Sequence, residues 1–202
     1  MESYEGGGGD SYNPNPDGIS TDLFVSKTKS CLNSNNNKNK VVSGGLCIKF
    51  TDSVGNLVFS VRPPPPPCRS HSQRLVSDSS GNPLISIAHN QKAIWQGFAK
   101  DGKDLIFKVE RTTNTLTKVE FQVFLNNDES TFKMRGSPFH RSCTIYNGDS
   151  VVAQTSLMYK LGIQKVLVPR NRFRLTIFPG YADHAFIVAL TAIFFYGRKL
   201  WI

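Results

Sequence analysis

Short alternating runs of apolar and polar residues, separated by turn residues, fill most of the chain. The clearest run lies at 172–178, where Phe173, Leu175 and Ile177 occupy every second position. Alternation of this kind is typical of a strand that buries one face. The close spacing of the runs, with no long helical segment between them, predicts an antiparallel sandwich or barrel and not a parallel α/β sheet. The twelve candidate strands are 43–51, 57–61, 73–77, 84–88, 93–99, 105–109, 118–125, 131–134, 142–146, 151–156, 165–168 and 172–178.

One turn-and-strand unit occurs twice. The sequence DSVGNLVFSV at 52–61 returns as DSSGNPLISI at 78–87. In each copy an Asp opens a turn, a Gly supplies a positive φ angle and an apolar run follows, which is the chemistry of a β-hairpin. A looser copy begins at 101, and 147–149 form a further turn signal. The chain is therefore predicted to be a series of hairpins.

The period changes near the end of the chain. Residues 181–197 follow a Pro-Gly pair and have helical character, and 185–196 contain no charge and are apolar on every side. Such a helix lies either in a membrane or inside protein. A helix of about 16 residues rises about 24 Å, whereas a membrane span needs about 20 apolar residues. We therefore expect the helix to fill the lumen of the barrel, with a C-terminal membrane anchor as the alternative.

The other segments suggest one domain. Residues 1–20 are rich in Gly, Asn and Pro and are expected to be flexible, whereas 21–202 are expected to form a single domain. An Asn-rich stretch at 30–40 is predicted to be a loop. The run from Pro63 to Pro67 favours an extended polyproline helix, which serves either as a stiff connector between strands or as a ligand for a partner protein.

Positive charge is concentrated in the last third of the chain. The sequence has a formal net charge of +9, and residues 133–202 contain ten Lys or Arg and two acids. Such an excess indicates either an anionic partner, such as phosphate or lipid headgroups, or simply a solvated basic surface.

A basic run with no acid in it is the candidate binding site. Arg172 and Arg174 share the outward face of a predicted strand, so their guanidinium groups can bind phosphate oxygens side by side. Lys133, Arg135 and Arg141 would widen this patch if their strand were adjacent. The predicted anion-binding residues are Lys160, Lys165, Arg170, Arg172 and Arg174.

No residue pattern points to catalysis. The sequence contains no nucleophile elbow, phosphate-binding loop, zinc-protease motif or EF-hand loop. His140 and Cys143 are at most half of a metal site, and the loop with Asp101 and Asp104 has too few oxygen donors for calcium. Asp183, in the first turn of the predicted helix, suits the helix dipole. We therefore expect a protein that is not an enzyme and uses no metal, cofactor or catalytic residue.

Cysteine usage and the N-terminal sequence bear on location. Cys31, Cys47, Cys68 and Cys143 share no short spacing, which argues against a disulfide scaffold or zinc ribbon and predicts four free thiols. The first residues lack the basic start and apolar stretch of a signal peptide. We expect a monomer that is intracellular and not secreted, either cytoplasmic or peripheral at a membrane, with the nucleus allowed.

Three segments resemble the plant LURP-one-related family: FTDSVGNLVFSV at 50–61, LVSDSSGNPLISI at 75–87 and FPGYADHAFIVAL at 178–190. The resemblance extends over residues 22–199, with the Asn-rich stretch and the proline run as departures in loops. It implies the tubby C-terminal-like fold, which is a mainly β, twelve-stranded antiparallel closed barrel around a central hydrophobic C-terminal helix. It also implies a relation to phospholipid scramblases and to tubby-like membrane-tethered transcription factors, and a link to plant defence.

These observations support three functional hypotheses, in order of preference. The first is a non-enzymatic barrel that binds anionic phospholipids, including phosphoinositides, at membranes. The second is an interaction scaffold that recruits a protein partner through the run from Pro63 to Pro67. The third is a DNA-associated transcription regulator, although the sequence contains no recognition helix, RNA-binding motif or zinc finger.

Overall fold

A computed structural model describes residues 18–28, 46–65, 72–90, 94–100, 102–115, 117–126, 131–137, 142–158, 172–180 and 183–197. Within these residues the protein is mainly β, with twelve strands followed by one helix. The strands are β1 Thr21–Thr28, β2 Cys47–Thr51, β3 Leu57–Arg62, β4 Gln73–Ser77, β5 Pro83–His89, β6 Ile94–Ala99, β7 Leu105–Asn114, β8 Val119–Leu125, β9 Thr131–Ser137, β10 Ser142–Asn147, β11 Ser150–Leu157 and β12 Arg172–Ile177, and the helix is α1 His184–Gly197.

The strands form a closed antiparallel barrel in which neighbours in the chain are neighbours in the sheet. The barrel closes because β1 pairs with both β2 and β12, with Val25 opposite Phe50 on one side and Phe173 on the other. Closure removes the free sheet edge that an open sheet of these strands would present. The predicted mainly β fold, an antiparallel barrel with a helix at its C-terminal end, is confirmed.

The largest differences from the predicted strands are at β1 and β7. The sequence pattern does not predict β1, because only Leu23 and Val25 form its apolar face before Lys27 interrupts it. β7 continues to Asn114, beyond the predicted end at 109, because its last residues still pair with β8. The predicted strand at 165–168 lies outside the described residues.

Alternating residues divide between the core and the surface as the pattern predicts. On β12, Phe173, Leu175 and Ile177 are buried, whereas Arg172 and Arg174 are exposed. The inward side chains of the other strands join them and α1 in one apolar core. Since a shift of one residue would turn these apolar side chains to solvent, burial of the apolar set specifies the register of β12.

The repeated unit forms two turns of the same construction. The Asp52 carboxylate accepts hydrogen bonds from the backbone N–H groups of 54–56 at 2.7–2.9 Å. Asp78 accepts bonds from the backbone and side chain of Asn82 at 2.8 and 3.0 Å. The turn glycines have positive φ angles of 99° and 88°. Hydrogen bonds, above all from the side chain of the turn asparagine, lower the pKa of both aspartates.

The helix begins later than predicted. Asp183 precedes its first residue and caps it, because the carboxylate accepts a hydrogen bond from the Ala185 N–H at 2.9 Å. The prediction that Asp183 lies in the first turn is therefore wrong, although the carboxylate still lies at the positive end of the helix dipole. Residues 181–182 lie outside the described residues. With 14 residues, α1 is about 21 Å long.

The barrel encloses α1 on every side. Residues 185–197 are all buried, and even Phe186, near the start of the helix, is only 7% exposed. In the part of the chain that the structure describes, no helix is long and apolar enough to cross a membrane. The prediction of a central helix enclosed by protein is confirmed.

Aromatic rings hold α1 from several directions. The ring of Phe186 meets those of Phe107 on β7 and Phe132 on β9 edge-on, with centroids 5.2 Å apart in both pairs. Near the other end of the helix, the centroid of Phe195 lies 4.7 Å from that of Phe173 on β12. Each such pair contributes about 0.5–1.5 kcal/mol beyond the burial of its surface. The rotation of α1 within the barrel is therefore set by specific contacts.

The two ends of the barrel carry different connections. The start of α1 and the short turns lie at one end, which we call the turn end, and the end of α1 lies at the opposite, loop end. The turn-end connections follow β2, β4, β6, β8, β10 and β12, and the loop-end connections follow β1, β3, β5, β7, β9 and β11. The predicted position of the proline run, between two paired strands, is confirmed.

The expectation of four free thiols is wrong at Cys47. This residue is disulfide-bonded. A disulfide requires two Cα atoms about 4.4–6.8 Å apart, a proximity that spacing along the chain does not reveal. Cys143 is free and buried, and burial raises the pKa of its thiol, which makes the group unreactive.

Gly136 on β9 allows α1 to approach the barrel wall. A Cβ atom there would meet the ring of Phe194 and the backbone oxygen of Ser142. The Gly136→Ala substitution is expected to lower the free energy of unfolding by about 1–3 kcal/mol, because it overpacks the core. Urea denaturation followed by circular dichroism measures this loss. In a Phe194→Leu background, Gly136→Ala should lower the free energy of unfolding by less. An equal loss in both backgrounds would contradict the close contact between Gly136 and the ring of Phe194.

Candidate functional site

The outward face of β12 carries two residues of the predicted anion site. Arg172 lies opposite Ser26 of β1, and Arg174 lies opposite Phe24 of β1 and Ser156 of β11. The other predicted residues, Lys160, Lys165 and Arg170, lie outside the described residues. The described part of the site is therefore a pair of exposed guanidinium groups at successive outward positions of one strand.

A second pair of outward cations lies on β9. Lys133 and Arg135 are exposed, since the alternate residues Phe132 and Met134 point into the core. The strands β10 and β11 lie between β9 and β12. Because β9 is not adjacent to β12, Lys133 and Arg135 do not directly extend the patch of Arg172 and Arg174. At about 4.8 Å per strand, the two pairs lie about 14 Å apart around the barrel. Arg141 lies outside the described residues.

The surface between the two pairs is uncharged. The outward residues of β10 and β11 in this region are Thr144, Tyr146, Gln154 and Ser156. No described outward position on β9 to β12 holds an acid, so the surface between the two pairs carries no described negative charge. We call the surface formed by Lys133, Arg135, Arg172 and Arg174 the basic face.

Two acids flank the basic face. Glu120 on β8 lies 3.0 Å from both Arg135 and Lys118, and the hydrogen bond from Lys118 is the main cause that lowers its pKa. Asp22 on β1 lies 3.8 Å from Arg174. Because Arg135 and Arg174 have about half of their side-chain surface exposed, these ion pairs contribute only about 0–1 kcal/mol. Both arginines therefore stay accessible to a ligand.

Three cationic side chains from the strands surround the C-terminus of α1 at the loop end. Arg111 donates a hydrogen bond from Nη2 to the last carbonyl of the helix at 3.1 Å. The Nζ atom of Lys27 lies 3.7 Å from the ring centroid of Phe195, and the Cζ atom of Arg74 lies 5.0 Å from that of Tyr196. The negative end of a helix dipole and the face of an aromatic ring both favour positive charge. We call Lys27, Arg74 and Arg111 the cationic mouth.

Sequence analysis misses the cationic mouth. The helix has no basic residue in its last described turn, so a search limited to the helix finds none. The available signal lies in the strands, where Lys27 continues the inward series of Leu23 and Val25 on β1. A cation at an inward position near a strand end is a sign that the barrel end is polar.

Burial favours the neutral forms of His89 and Tyr196, whose rings lie beside the cationic mouth. His89 and Trp95 are cross-strand partners whose ring centroids lie 4.5 Å apart. Burial, and then the positive charge of Arg111, lower the pKa of His89. Tyr196 donates its hydroxyl proton to the backbone oxygen of Leu46 at 2.7 Å, and burial raises its pKa to about 12.

A cavity of about 730 Å³ opens at the turn end. Its polar lining residues are Lys100, Asn147 and Asp183, and its apolar walls include Phe59, Leu84, Ile106, Leu125, Phe132 and Phe186. Sequence analysis does not predict this cavity, because its volume depends on how the ends of seven strands meet the first turn of α1.

Metal-binding side chains do not converge within the described ranges, where no group of three or more His, Cys, Asp or Glu could hold an ion. Asp104 is exposed in the β6–β7 turn, and Cys143 is buried on β10. Asp101 and His140 lie outside the described residues.

Comparison with known proteins connects this barrel to a family. The sequence model of the LURP-one-related family matches residues 36–195. The chain belongs to the LURP-one-related family. This LURP-one-related protein is 40% identical to Protein LURP-one-related 7 of Arabidopsis thaliana over 193 residues, which cover 92% of this chain and 96% of the relative. It is 32% identical to Protein LURP-one-related 15 of the same plant, over 71% of this chain and 70% of the relative.

A solved structure supports the same architecture. An X-ray structure of an Arabidopsis thaliana protein superimposes on this LURP-one-related chain with a TM-score of 0.59 and 26% sequence identity. The superposition covers 90% of this chain and 93% of that protein. The similarity therefore extends over nearly the whole barrel and is not limited to one hairpin.

We expect His89 to make the stability of this LURP-one-related barrel depend on pH. Burial lowers its folded-state pKa from the ordinary value of 6.5, so between the two pKa values the unfolded chain binds more protons. The free energy of unfolding should therefore fall as the pH is lowered through about 6.5, until the folded-state pKa is passed. In a His89→Gln variant this fall should be smaller in urea titrations between about pH 8 and pH 5. Identical pH profiles for the two proteins would contradict the assignment.

Proposed function

We propose that this LURP-one-related protein is a non-enzymatic barrel that binds anionic phospholipid membranes, including those with phosphoinositides, through the basic face. The observation that carries the proposal is the set of four outward cations on β9 and β12, with no acid at the described outward positions between them. Lys133 and Arg172 form no ion pair with a described residue, so their charge is available to a ligand.

The expected attachment is reversible. Each Lys or Arg near an anionic leaflet contributes about 1 kcal/mol, so the four described cations would contribute about 4 kcal/mol. The planar guanidinium groups of Arg172 and Arg174 suit bidentate binding to phosphate oxygens. Because exposed charges are screened over about 8 Å at physiological ionic strength, binding should weaken as salt is added.

The broader part of this proposal would use the same reversible attachment. A relation to phospholipid scramblases and to tubby-like membrane-tethered proteins requires recognition of a lipid surface. A role in plant defence signalling would use the same property, since a weakly attached protein can leave the membrane when the lipid composition changes.

The other two hypotheses have less support from the described residues. Pro64 is buried and Pro63 is half-buried, so the described part of the proline run presents mainly Pro65 to a partner protein. Pro66 and Pro67 lie outside the described residues. DNA association would use the charge of the basic face, but the only described helix is enclosed by the barrel and cannot enter a groove.

Removing two cations of the basic face should weaken membrane binding. The double variant Lys133→Gln with Arg172→Gln is expected to bind mixed phosphatidylcholine–phosphatidylserine vesicles about 30-fold more weakly than the unmodified protein, because about 2 kcal/mol of attraction is lost. Vesicle co-sedimentation at physiological salt measures the change. Vesicles with a phosphoinositide in place of phosphatidylserine should report the same loss.

A charge-matched control separates the basic face from net charge. Lys103→Gln with Lys108→Gln removes the same charge from β7 and the turn before it, and should bind as the unmodified protein does. Duplex DNA replaces the vesicles in a parallel titration. The proposal is wrong if the two double variants bind anionic vesicles with equal affinity, or if the unmodified protein does not bind them. It is also wrong if the unmodified protein binds duplex DNA more tightly than anionic vesicles.

A further inference from the structure

The cavity at the turn end lies apart from the basic face. It is enclosed by the ends of β3 and of β5 to β10 together with the start of α1, whereas the basic face is the outer surface of β9 to β12. Its volume of about 730 Å³ is within the range of small-molecule sites, about 300–1,000 Å³. The cavity is open to solvent at the turn end, so a small molecule of matching size can enter it.

The lining of the cavity is amphipathic. Leu84, Ile106 and Leu125 are half-buried in its apolar walls, so their side chains are still partly accessible to an occupant. Lys100 and Asp183 are exposed, which places the polar part of the lining at the mouth. A molecule with an apolar chain and a polar head matches this distribution.

Exposed apolar side chains surround the same end of the barrel. Among the described residues, the large hydrophobic side chains with at least 37% of their surface exposed are Ile19, Val54, Phe124 and Val151. Each lies in a turn-end connection or within two residues of a strand's turn end. These four side chains lie on separate parts of the rim, beside β1, in the β2–β3 turn, on β8 and on β11, so the apolar character of the site comes from the cavity walls.

Aspartates outnumber cations at the turn end, where the guanidinium of Arg62 also reaches the carbonyl of Gly81. The described turn-end connections contain two lysines and five aspartates: Lys100, Lys103, Asp52, Asp78, Asp104, Asp149 and Asp183. Turn hydrogen bonds lower the pKa of Asp52 and Asp78, so both stay ionised at neutral pH. A potential of this sign attracts cations and repels a carboxylate or an anionic membrane.

We propose that the turn-end cavity binds the single aliphatic chain of an amphiphile whose cationic head lies at the mouth beside Asp183, the acid of the described lining. The chain buries its methylene groups against Leu84, Ile106 and Leu125, and the head lies near Asp183. This site and the basic face therefore bind ligands of opposite charge. The proposal goes beyond membrane binding and does not depend on it.

A series of simple amphiphiles tests both parts of the proposal. Octyl-, decyl- and dodecylammonium, kept below their micelle concentrations, are titrated into the full chain by isothermal titration calorimetry. Each added methylene should tighten binding about fourfold until the cavity is filled. Dodecanol and dodecanoate carry the same chain with a neutral and a negative head. We expect dodecylammonium to bind most tightly and dodecanoate most weakly.

Variants locate the site. Ala99→Leu enlarges a lining residue and should weaken dodecylammonium binding about tenfold, the equivalent of nearly two buried methylenes. Ala88→Leu makes the same change at a half-buried β5 residue outside the lining and should leave binding unchanged. Asp183→Asn keeps the oxygen that caps α1 and removes the charge. This variant should bind dodecylammonium severalfold more weakly and dodecanol as tightly as the unmodified protein does. Circular dichroism shows whether each variant is folded.

Several results would overturn the proposal. Equal or tighter binding of dodecanoate would exclude the cationic head. Affinity that is independent of chain length, or equal effects of Ala99→Leu and Ala88→Leu, would exclude the cavity. Binding of the protein to uncharged phosphatidylcholine vesicles that Ala99→Leu abolishes would identify a bilayer as the occupant. None of these outcomes affects the vesicle experiment on Lys133 and Arg172, so the two proposals can fail separately.

Discussion

Burial of α1 inside the barrel is the interaction on which the rest of the structure depends. A closed sheet of twelve strands is wider than its own inward side chains can fill, and a helix that is apolar on every side needs an apolar enclosure. Each element therefore supplies what the other lacks. The fit requires small residues at inward positions: Gly97 leaves room for the ring of Phe107, and Gly136 leaves room for that of Phe194. Helix and barrel should therefore lose their structure together.

Enclosure creates a second requirement, because the ends of a buried helix carry backbone groups without partners inside the helix. At the turn end, Asp183 accepts a hydrogen bond from the first turn. At the loop end, the strands supply the cationic mouth, and Arg111 binds the last carbonyl. Both arrangements follow the direction of the helix dipole, with an acid at its positive end and cations at its negative end. The direction of α1 thus accounts for the opposite charges nearest its two ends.

The proposed ligand sites lie on parts of the barrel that the helix does not constrain. The basic face uses outward positions, which alternate with the core positions and are free to carry charge without disturbing the packing. The turn-end cavity lies just beyond the region that the first turn of α1 fills. A single fold can therefore present an anion-binding wall and a cation-favouring apolar cavity at the same time, with separate residues for each.

Local patterns in the sequence determine much of this protein. Alternation at 172–178 places Arg172 and Arg174 on the outer surface. The repeated Asp-x-x-Gly-Asn turns specify two hairpins. The uncharged run at 185–196 predicts an enclosed helix. The pattern does not predict β1, because Lys27 interrupts its apolar face. The reason for a lysine at this position is visible only in the structure, where its Nζ atom lies over the ring of Phe195 near the end of α1. The partners of β12, the disulfide at Cys47, the cationic mouth and the turn-end cavity likewise depend on distances between residues remote in sequence. Periodicity reports which face of a strand is buried, but only the closed tertiary structure decides which residues meet across it.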